Sequence, residues 1–486
     1  MNDHDPTSAS HHAKPKIKAK TIPIRQVGPA GEEDLYEIRK KVYPRAVTGV
    51  FATWRWALVW FTQLVFYGFC WLEWNDRQAV LFDLANRKFY IFALVFSPQD
   101  VFFLAILLII CAYALFLFTA IAGRLWCGFA CPQTVYTQIF IWIEQKIEGG
   151  RNQQIKLDEG GWGSRKAFLK TSKYLAWGLV SLWTGITFVG YFTPIKELIP
   201  AFISWRLGGW EVFWIAFYGG FTYLMAGVMR EQVCKYMCPY ARFQGVMFDP
   251  DTLVITYDKE RGDPRGARRK GADHAAQGLG DCVDCGICVQ VCPTGIDIRD
   301  GLQYECIGCA ACIDACDQVM EKMQYAPGLI RYSTENAVKK HWGRKEILAH
   351  VMRPRTLIYS GVLCAICIAF VWGLTAREPL RLDVIRDRSV LTREVEDGLI
   401  ENAYTLQLMS VSERQQKLVL SVSGLEGIRL VGHSAITLPP AATQAVTVQV
   451  RVPADTAAKG AHKIFFELRS DDQEIVLREK STFLMP

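Results

Sequence analysis

Apolar residues in this chain are gathered into blocks. A helix that crosses a bilayer needs about 20 largely apolar residues, and five stretches meet that need: 56–72, 101–122, 174–192, 212–229 and 357–374. The shorter run 89–96 is too brief to span and reads as an interfacial or re-entrant segment. Beyond about Arg377 the pattern changes. Residues 417–423, 445–452 and 463–469 alternate between apolar and polar and are rich in β-branched side chains, the pattern of half-buried strands. About 100 such residues suit a β-sandwich of immunoglobulin type. With no cysteine, it must be held by its core alone.

Charge orients the helices, because cytoplasmic loops retain Lys and Arg. Arg39, Lys40, Lys41, Arg45 and Arg55 precede or open the first stretch. Arg124, Lys146, Arg151, Lys156, Arg165, Lys166, Lys170 and Lys173 follow the second. The loop after the third holds only Lys196 and Arg206, whereas Arg261, Arg265, Arg268, Arg269 and Lys270 crowd the loop after the fourth. The chain is therefore expected to start in the cytoplasm, to return there over 123–173 and 230–356, and to end in the periplasm. The Lys-rich N-terminus has no apolar core near residue 20, so it reads as a disordered cytoplasmic tail and not a cleaved signal peptide. The net charge of +7 is mild and confined to loops, an orientation signal and not a nucleic-acid footprint. The expected architecture is a multidomain membrane protein. It runs as a tail (1–52), four transmembrane helices (53–250), a cytoplasmic ferredoxin-like α+β insert (251–352), a fifth helix (353–376) and a periplasmic immunoglobulin-like β-sandwich (377–486).

The 16 cysteines fall in tight clusters, which favours metal or redox use in a reducing compartment over a disulfide scaffold. Cys282, Cys285, Cys288 and Cys292 form a C-x2-C-x2-C-x3-C run followed by Pro293, and Cys306, Cys309, Cys312 and Cys316 form another. In bacterial ferredoxins three cysteines of each such run wrap one [4Fe-4S] cluster and the fourth ligates the other. That rule assigns Cys282, Cys285, Cys288 and Cys316 to one cluster, and Cys306, Cys309, Cys312 and Cys292 to the second. Asp317 stands where the pattern usually has proline, which leaves the ligand count intact. The competing reading is a pair of zinc sites, but zinc ribbons usually carry separated C-x2-C pairs.

A second motif recurs. Arg124 to Pro132 and Arg230 to Pro239 each place two cysteines four apart before a proline: Cys127 with Cys131, and Cys234 with Cys238. If the helix continues through the motif, both sulfurs share one face. The proline suits the first turn of a new helix, so a kink is expected, followed by an amphipathic interfacial helix. Helix pairs one–two and three–four thus read as an internal repeat that gathers four thiols. Soft thiolates select Cu(I), zinc or iron–sulfur clusters. A structural zinc or plain buried thiols are the blander readings of this site. Cys70, Cys111, Cys364, Cys367 and Met237 read as packing. No histidine (4, 11, 12, 274, 341, 350, 433, 462) falls in an apolar stretch and there is no C-x-x-C-H, which argues against haem. No G-x-G-x-x-G follows a strand, so a separate electron donor is expected.

Five helices, paired C-x3-C-P motifs, a dicluster insert and a β-sandwich resemble the cytochrome c oxidase accessory family FixG/RdxA/CcoG. The resemblance runs from about residue 35 onward, most specifically over Gly123 to Thr134, Lys88 to Phe92 and the two cluster runs. It implies a membrane protein of the bacterial inner membrane that helps assemble a cbb-type oxidase and reduces Cu(II) to Cu(I). It also implies Cys127, Cys131, Cys234 and Cys238 as catalytic, copper-handling thiols and the eight ferredoxin cysteines as an electron wire. It implies a copper chaperone or transporter and cbb-type oxidase subunits as partners, beside the lipid bilayer and the cytoplasmic electron donor expected from the residues; a homodimer is left open. Two alternatives remain: an electron-transfer subunit linking quinol or a cytoplasmic donor to a partner reductase, and a redox-sensing assembly scaffold.

Overall fold

The computed structural model describes residues 41–271, 276–387, 392–395, 398–432, 434–470 and 476–486. Most of the expected N-terminal tail, and histidines 4, 11, 12, 274 and 433, lie outside the described residues.

Each of the five apolar stretches is helical. In chain order the first helices are α1 (Val50–Gly68), α2 (Val101–Ala122), α3 (Leu125–Phe129), α4 (Pro132–Glu148), α5 (Arg151–Glu159), α6 (Ser164–Val189), α7 (Ile195–Ile203), α8 (Gly209–Thr222) and α9 (Pro239–Met247). π-helical turns at Tyr223–Met229 and Val233–Met237 extend α8 toward α9, and a long helix, Pro354–Thr375, precedes the C-terminal domain. By length and composition, three segments among the described residues can cross a membrane: Pro98–Ala122, Gly209–Met229 and Pro354–Thr375. The helices α1 and α6 occupy the other two expected stretches, and polar side chains lie on their buried faces, Arg55 and Gln63 on α1 and Lys173, Ser181 and Thr184 on α6. Small residues let α6 and α8 approach closely: a Cβ on Gly185 would stand 2.4 Å from the Ile215 carbonyl oxygen.

The run 89–96, read from sequence as an interfacial or re-entrant segment, is built as strand. It belongs to an antiparallel sheet of β3 (Val80–Asp83), β4 (Lys88–Ile91) and β5 (Leu94–Phe96), which follows a short hairpin of β1 (Glu73–Trp74) and β2 (Arg77–Gln78). Turn chemistry decides this: the Asp83 carboxylate accepts from the Asn86 N–H, and Arg87 and Phe92 adopt positive φ, so the chain reverses twice.

In the insert, β6 (Val254–Tyr257) pairs with β7 (Ile330–Ser333) and clasps the two cysteine runs between them. The C-terminal domain has the expected two antiparallel sheets. One is ordered β12 (Arg429–Val431), β14 (Thr443–Pro453), β10 (Leu399–Ser410), β8 (Leu380–Arg386), with β9 (Arg393–Val395) beside β10. The other is ordered β13 (Ala435–Leu438), β11 (Gln416–Ser423), β15 (Gly460–Ser470), β16 (Val476–Met485). Alternate residues of the two sheets meet in one core, including Tyr404, Leu406 and Leu408 against Leu418, Phe466 and Phe483.

Insert and sandwich lie at opposite ends of α1 and α2. The Asp314 carboxylate, in the insert, accepts from the Phe51 and Ala52 N–H groups at the start of α1 (3.2 and 2.7 Å), and the Leu253 N–H donates to Ile121 O at the end of α2 (3.0 Å). At the far ends, Arg377 pairs with Asp100, Arg77 with Glu413, and the Lys88 ammonium donates to Ala441 O.

Candidate functional site

The two cysteine runs wrap two adjoining cavities. Cys282, Cys285, Cys288 and Cys316 line one of about 350 Å³, with Arg299 at its edge. Cys292, Cys306, Cys309 and Cys312 line another of about 340 Å³, and Cys288 borders both. The fourth cysteine of each run therefore lies in the cavity of the other run. The backbone repeats itself to achieve this. Asp284 and Gly308, each just before the second cysteine of its run, have φ of 52° and 69°. Gly286 and Ala310, each two before the third, are left-handed N-caps of the helices Ile287–Gln290 and Ala311–Met323. Such conformations curl the chain so that the three sulfurs of each run face inward.

Among the described residues no three His, Cys, Asp or Glu side chains converge where a single metal ion would bind. A cluster, which stands between its thiolates and spaces them apart, suits a cavity with sulfur on its walls. Burial pushes the Cys288 thiol up to about 11 and those of Cys306 and Cys316 up to about 12, with Cys309 and Cys312 also raised. Cationic neighbours act in the opposite sense: Arg299 on Cys288, Arg124 on Cys306 and Arg55 on Cys309. Loading the sites as thiolates therefore releases protons.

The C-x3-C-P motifs break as expected, with each proline opening a new helix, so the helix does not continue through the motif. Helix α3 ends at Phe129, and Cys131 is extended as the N-cap of α4 (φ −61°, ψ 129°). Likewise Val233–Met237 ends at Cys238, the extended N-cap of α9. Proline takes the first helical position each time, where its missing N–H costs nothing. The two thiols of a pair thus lie on either side of a helix break, and tertiary packing brings the pairs together. Burial raises the Cys127 thiol to about 11, the Cys234 thiol to about 12, and that of Cys131 as well. Further elevation of Cys234 comes from Cys131, Cys127 and Cys238, so the four sulfurs share one neighbourhood. The Cys127 thiol donates to the Gln244 side-chain oxygen (3.4 Å).

This neighbourhood abuts the second cavity. Cys127 and Cys234 pack against a cluster that includes Ile307, Cys309 and Ala311. A Cβ on Gly128 would lie 2.6 Å from the Gly308 carbonyl oxygen, so the main chains touch. Buried Arg124 donates to Ala241 O (2.5 Å) and Tyr304 O, tying the first motif both to α9 and to the cluster loop. Arg230, four residues before Cys234, instead pairs with Glu144 (2.7 Å). From there a chain of ion pairs runs through Lys173, Glu148 and Lys170 to Asp158.

Several of these contributors were not singled out from sequence: Arg55, Gly128, Gly308, Asp314, Gln244 and Glu144. A signal existed for Arg55, a charge bordering the first apolar stretch, which the structure places within α1. Of the cysteines read as packing, Cys70 is buried, whereas Cys111 and Cys364 are exposed along their helices; Met237 is half exposed, and none of them lines the cluster cavities.

Comparison with known proteins agrees with this layout. Residues 229–335 match the family model of a 4Fe-4S dicluster domain, 104–149 that of a 4Fe-4S binding domain, and 370–486 that of the IG-like fold at the C-terminal of FixG. The chain is 38% identical over 453 residues to the nitrogen fixation protein FixG of Rhizobium meliloti, covering 86% of each. It is 36% identical over 449 residues to protein RdxA of Cereibacter sphaeroides, covering 90% of this chain and 94% of that one. Protein RdxB of the same organism is 37% identical over 445 residues, with coverage of 90% and 93%.

Proposed function

Because this chain belongs to the family of FixG and RdxA, we propose that it is a five-pass inner-membrane protein that reduces Cu(II) to Cu(I) for assembly of a cbb-type oxidase. In this reading the N-terminus and insert face the cytoplasm and the sandwich faces the periplasm, the orientation favoured by Lys and Arg in the loops. Cys282, Cys285, Cys288 and Cys316 hold one [4Fe-4S] cluster, and Cys292, Cys306, Cys309 and Cys312 the other. When bound, each cluster relays a single electron, the number that separates Cu(II) from Cu(I). Copper is the substrate, held at Cys127, Cys131, Cys234 and Cys238, whose soft sulfurs favour the Cu(I) product.

The observation that carries this reading is the backbone contact of Gly128 with Gly308 and Cys309. It brings the first motif, at the residue after Cys127, against the cluster loop beside Cys309. The test is anaerobic purification of the wild type and of a variant with all four cysteines changed to Ala. With dithionite as reductant, the wild type is expected to reduce Cu(II) and the variant to lose that activity while keeping its iron. Equal rates would remove the thiols from the reaction.

A second reading, an electron-transfer subunit serving a partner reductase, is favoured by one observation. Residues 104–149, which contain Cys127 and Cys131, match a 4Fe-4S binding domain. Two clusters bring about eight irons per chain, so an iron content well above that, with no copper bound, would support the second reading.

A further inference from the structure

A third cavity, of about 450 Å³, is lined by Cys234 of the thiol neighbourhood and by Cys309 of the second cysteine run. It shares Thr294, Ile307 and Cys309 with the cavity that Cys292, Cys306 and Cys312 line. Arg55, from α1, lines it too. This arginine is only 8% exposed, and its Nε has no hydrogen-bond partner. Among the described residues no carboxylate pairs with it, Glu231 of the same cavity included.

The fold fixes where this charge stands. Ala52 and Arg55 lie on one buried face of α1, and the Asp314 carboxylate accepts from the Phe51 and Ala52 N–H groups. Asp314 belongs to the helix Ala311–Met323, which also carries Cys312 and Cys316, so the first turn of α1 is tied to the cysteine helix. Arg124, the other buried cation named beside this run, is held by main-chain oxygens of Ala241, Tyr304 and Cys306. Arg299, which lines the cavity of the first run, is paired with Asp297 (2.6 Å) and Asp284 (2.5 Å), and its charge is offset there. Arg55 has no such partner, and a buried charge without a counter-charge is strongly destabilising. Four thiolates around a [4Fe-4S] core leave a net negative charge, which supplies the missing one.

We propose that Arg55 raises the reduction potential of the cluster held by Cys292, Cys306, Cys309 and Cys312, and so keeps the site beside the thiols readily reduced. The reduced cluster carries one more negative charge than the oxidised one, so a cation nearby favours it, and burial leaves that attraction largely unscreened. The charge of Arg55 likewise favours the thiolate of Cys309. The inference rests on the reading that the two runs hold [4Fe-4S] clusters, and it is independent of copper.

The test uses the full chain in detergent under anaerobic conditions, titrated with dithionite and mediator dyes and followed by EPR, with iron per chain measured in parallel. Cys285→Ser and Cys306→Ser identify which signal belongs to which run. Arg55→Gln is expected to keep its iron and to shift the reduction equilibrium of the second run's cluster at least tenfold toward the oxidised form, about 59 mV for one electron. The first run's signal should move much less. Arg55→Lys, which keeps the charge, should restore most of the shift. Gln138→Glu sets a carboxylate on the same cavity and leaves Arg55 in place, and it should move the second signal in the same direction as Arg55→Gln. An unmoved second signal in both Arg55→Gln and Gln138→Glu, equal shifts of the two signals, or Arg55→Lys shifted as far as Arg55→Gln would overturn the proposal alone. A wild type without two cluster signals would overturn the cluster reading and this inference together.

Discussion

Gly128 and Gly308 meet main chain to main chain: a Cβ on the first would stand 2.6 Å from the carbonyl oxygen of the second, and one on the second 3.0 Å from Arg124 O. Each glycine neighbours a cysteine, Cys127 and Cys309, so the contact sets how near the thiol site comes to the cluster loop. Gly128→Ala forces backbone against backbone, which cannot yield as a flexible side chain would. The expected cost is about 1–3 kcal/mol of stability, read as a lowered unfolding temperature, together with slower cupric reduction at full iron content. An unchanged unfolding temperature would mean the loops slide freely.

Crossed ligation makes a prediction that a simple count of cysteines does not. Cys292 lines the cavity of Cys306, Cys309 and Cys312, and Cys316 that of Cys282, Cys285 and Cys288. Cys292→Ser should therefore perturb the cluster held by the second run, and Cys316→Ser the cluster held by the first. Anaerobic EPR of the reduced proteins should show a different signal altered in each variant, with about half the iron at risk. The same signal altered in both would refute the crossing.

Asp314 stands between Cys312 and Cys316 yet caps α1 through Phe51 and Ala52. Replacing a capping carboxylate by Ala typically costs about 0.5–2 kcal/mol. Asp314→Ala should lower thermal stability in detergent by that amount and leave both cluster signals in place. Loss of the clusters instead would mean that Asp314 shapes the cysteine helix and not the cap.

The buried pairing of Glu144 with Arg230 and Lys173 gives the largest expected effect. Glu144→Gln leaves two cations in a site of low exposure with reduced compensation, and removing one partner of a buried pair costs about 3–5 kcal/mol. Expression and the unfolding temperature should fall sharply, while Lys339→Gln, in an exposed pair with Glu335, should change neither.

Asp297 supplies a pH dependence. Its hydrogen bonds with Arg299 hold its carboxyl below the usual carboxylate range, against the opposing effect of burial. A depressed folded value stabilises the fold above the unfolded value of about 4, and that contribution disappears as pH falls through the folded value. The gap in unfolding temperature between wild type and Asp297→Asn should be widest near neutral pH and close below about pH 4. A gap independent of pH would exclude the ion pair as its source.

Much of this was legible from pattern alone. Five apolar runs became helices because a helix satisfies its backbone hydrogen bonds within the segment while its apolar side chains face outward. The alternation beyond Arg377 became two facing sheets because period two puts every second side chain into one core. The grouping of Cys292 with Cys306, Cys309 and Cys312 followed from the ferredoxin rule that the fourth cysteine of a run reaches the other cluster. The run 89–96 misled, because its apolar content outweighed the turn residues before and within it, Asp83, Asn86 and Arg87.

The sequence by itself determined which segments are apolar and where the C-x3-C-P motifs break, matters of local reach and periodicity. Only the tertiary structure decided that Gly128 lies on Gly308 and that Asp314 caps a helix more than 260 residues away. Those contacts join segments distant along the chain, and no local preference of either partner encodes them; they form because packing leaves the backbone one close approach that only glycine allows and one buried N-terminus that only a carboxylate nearby can satisfy.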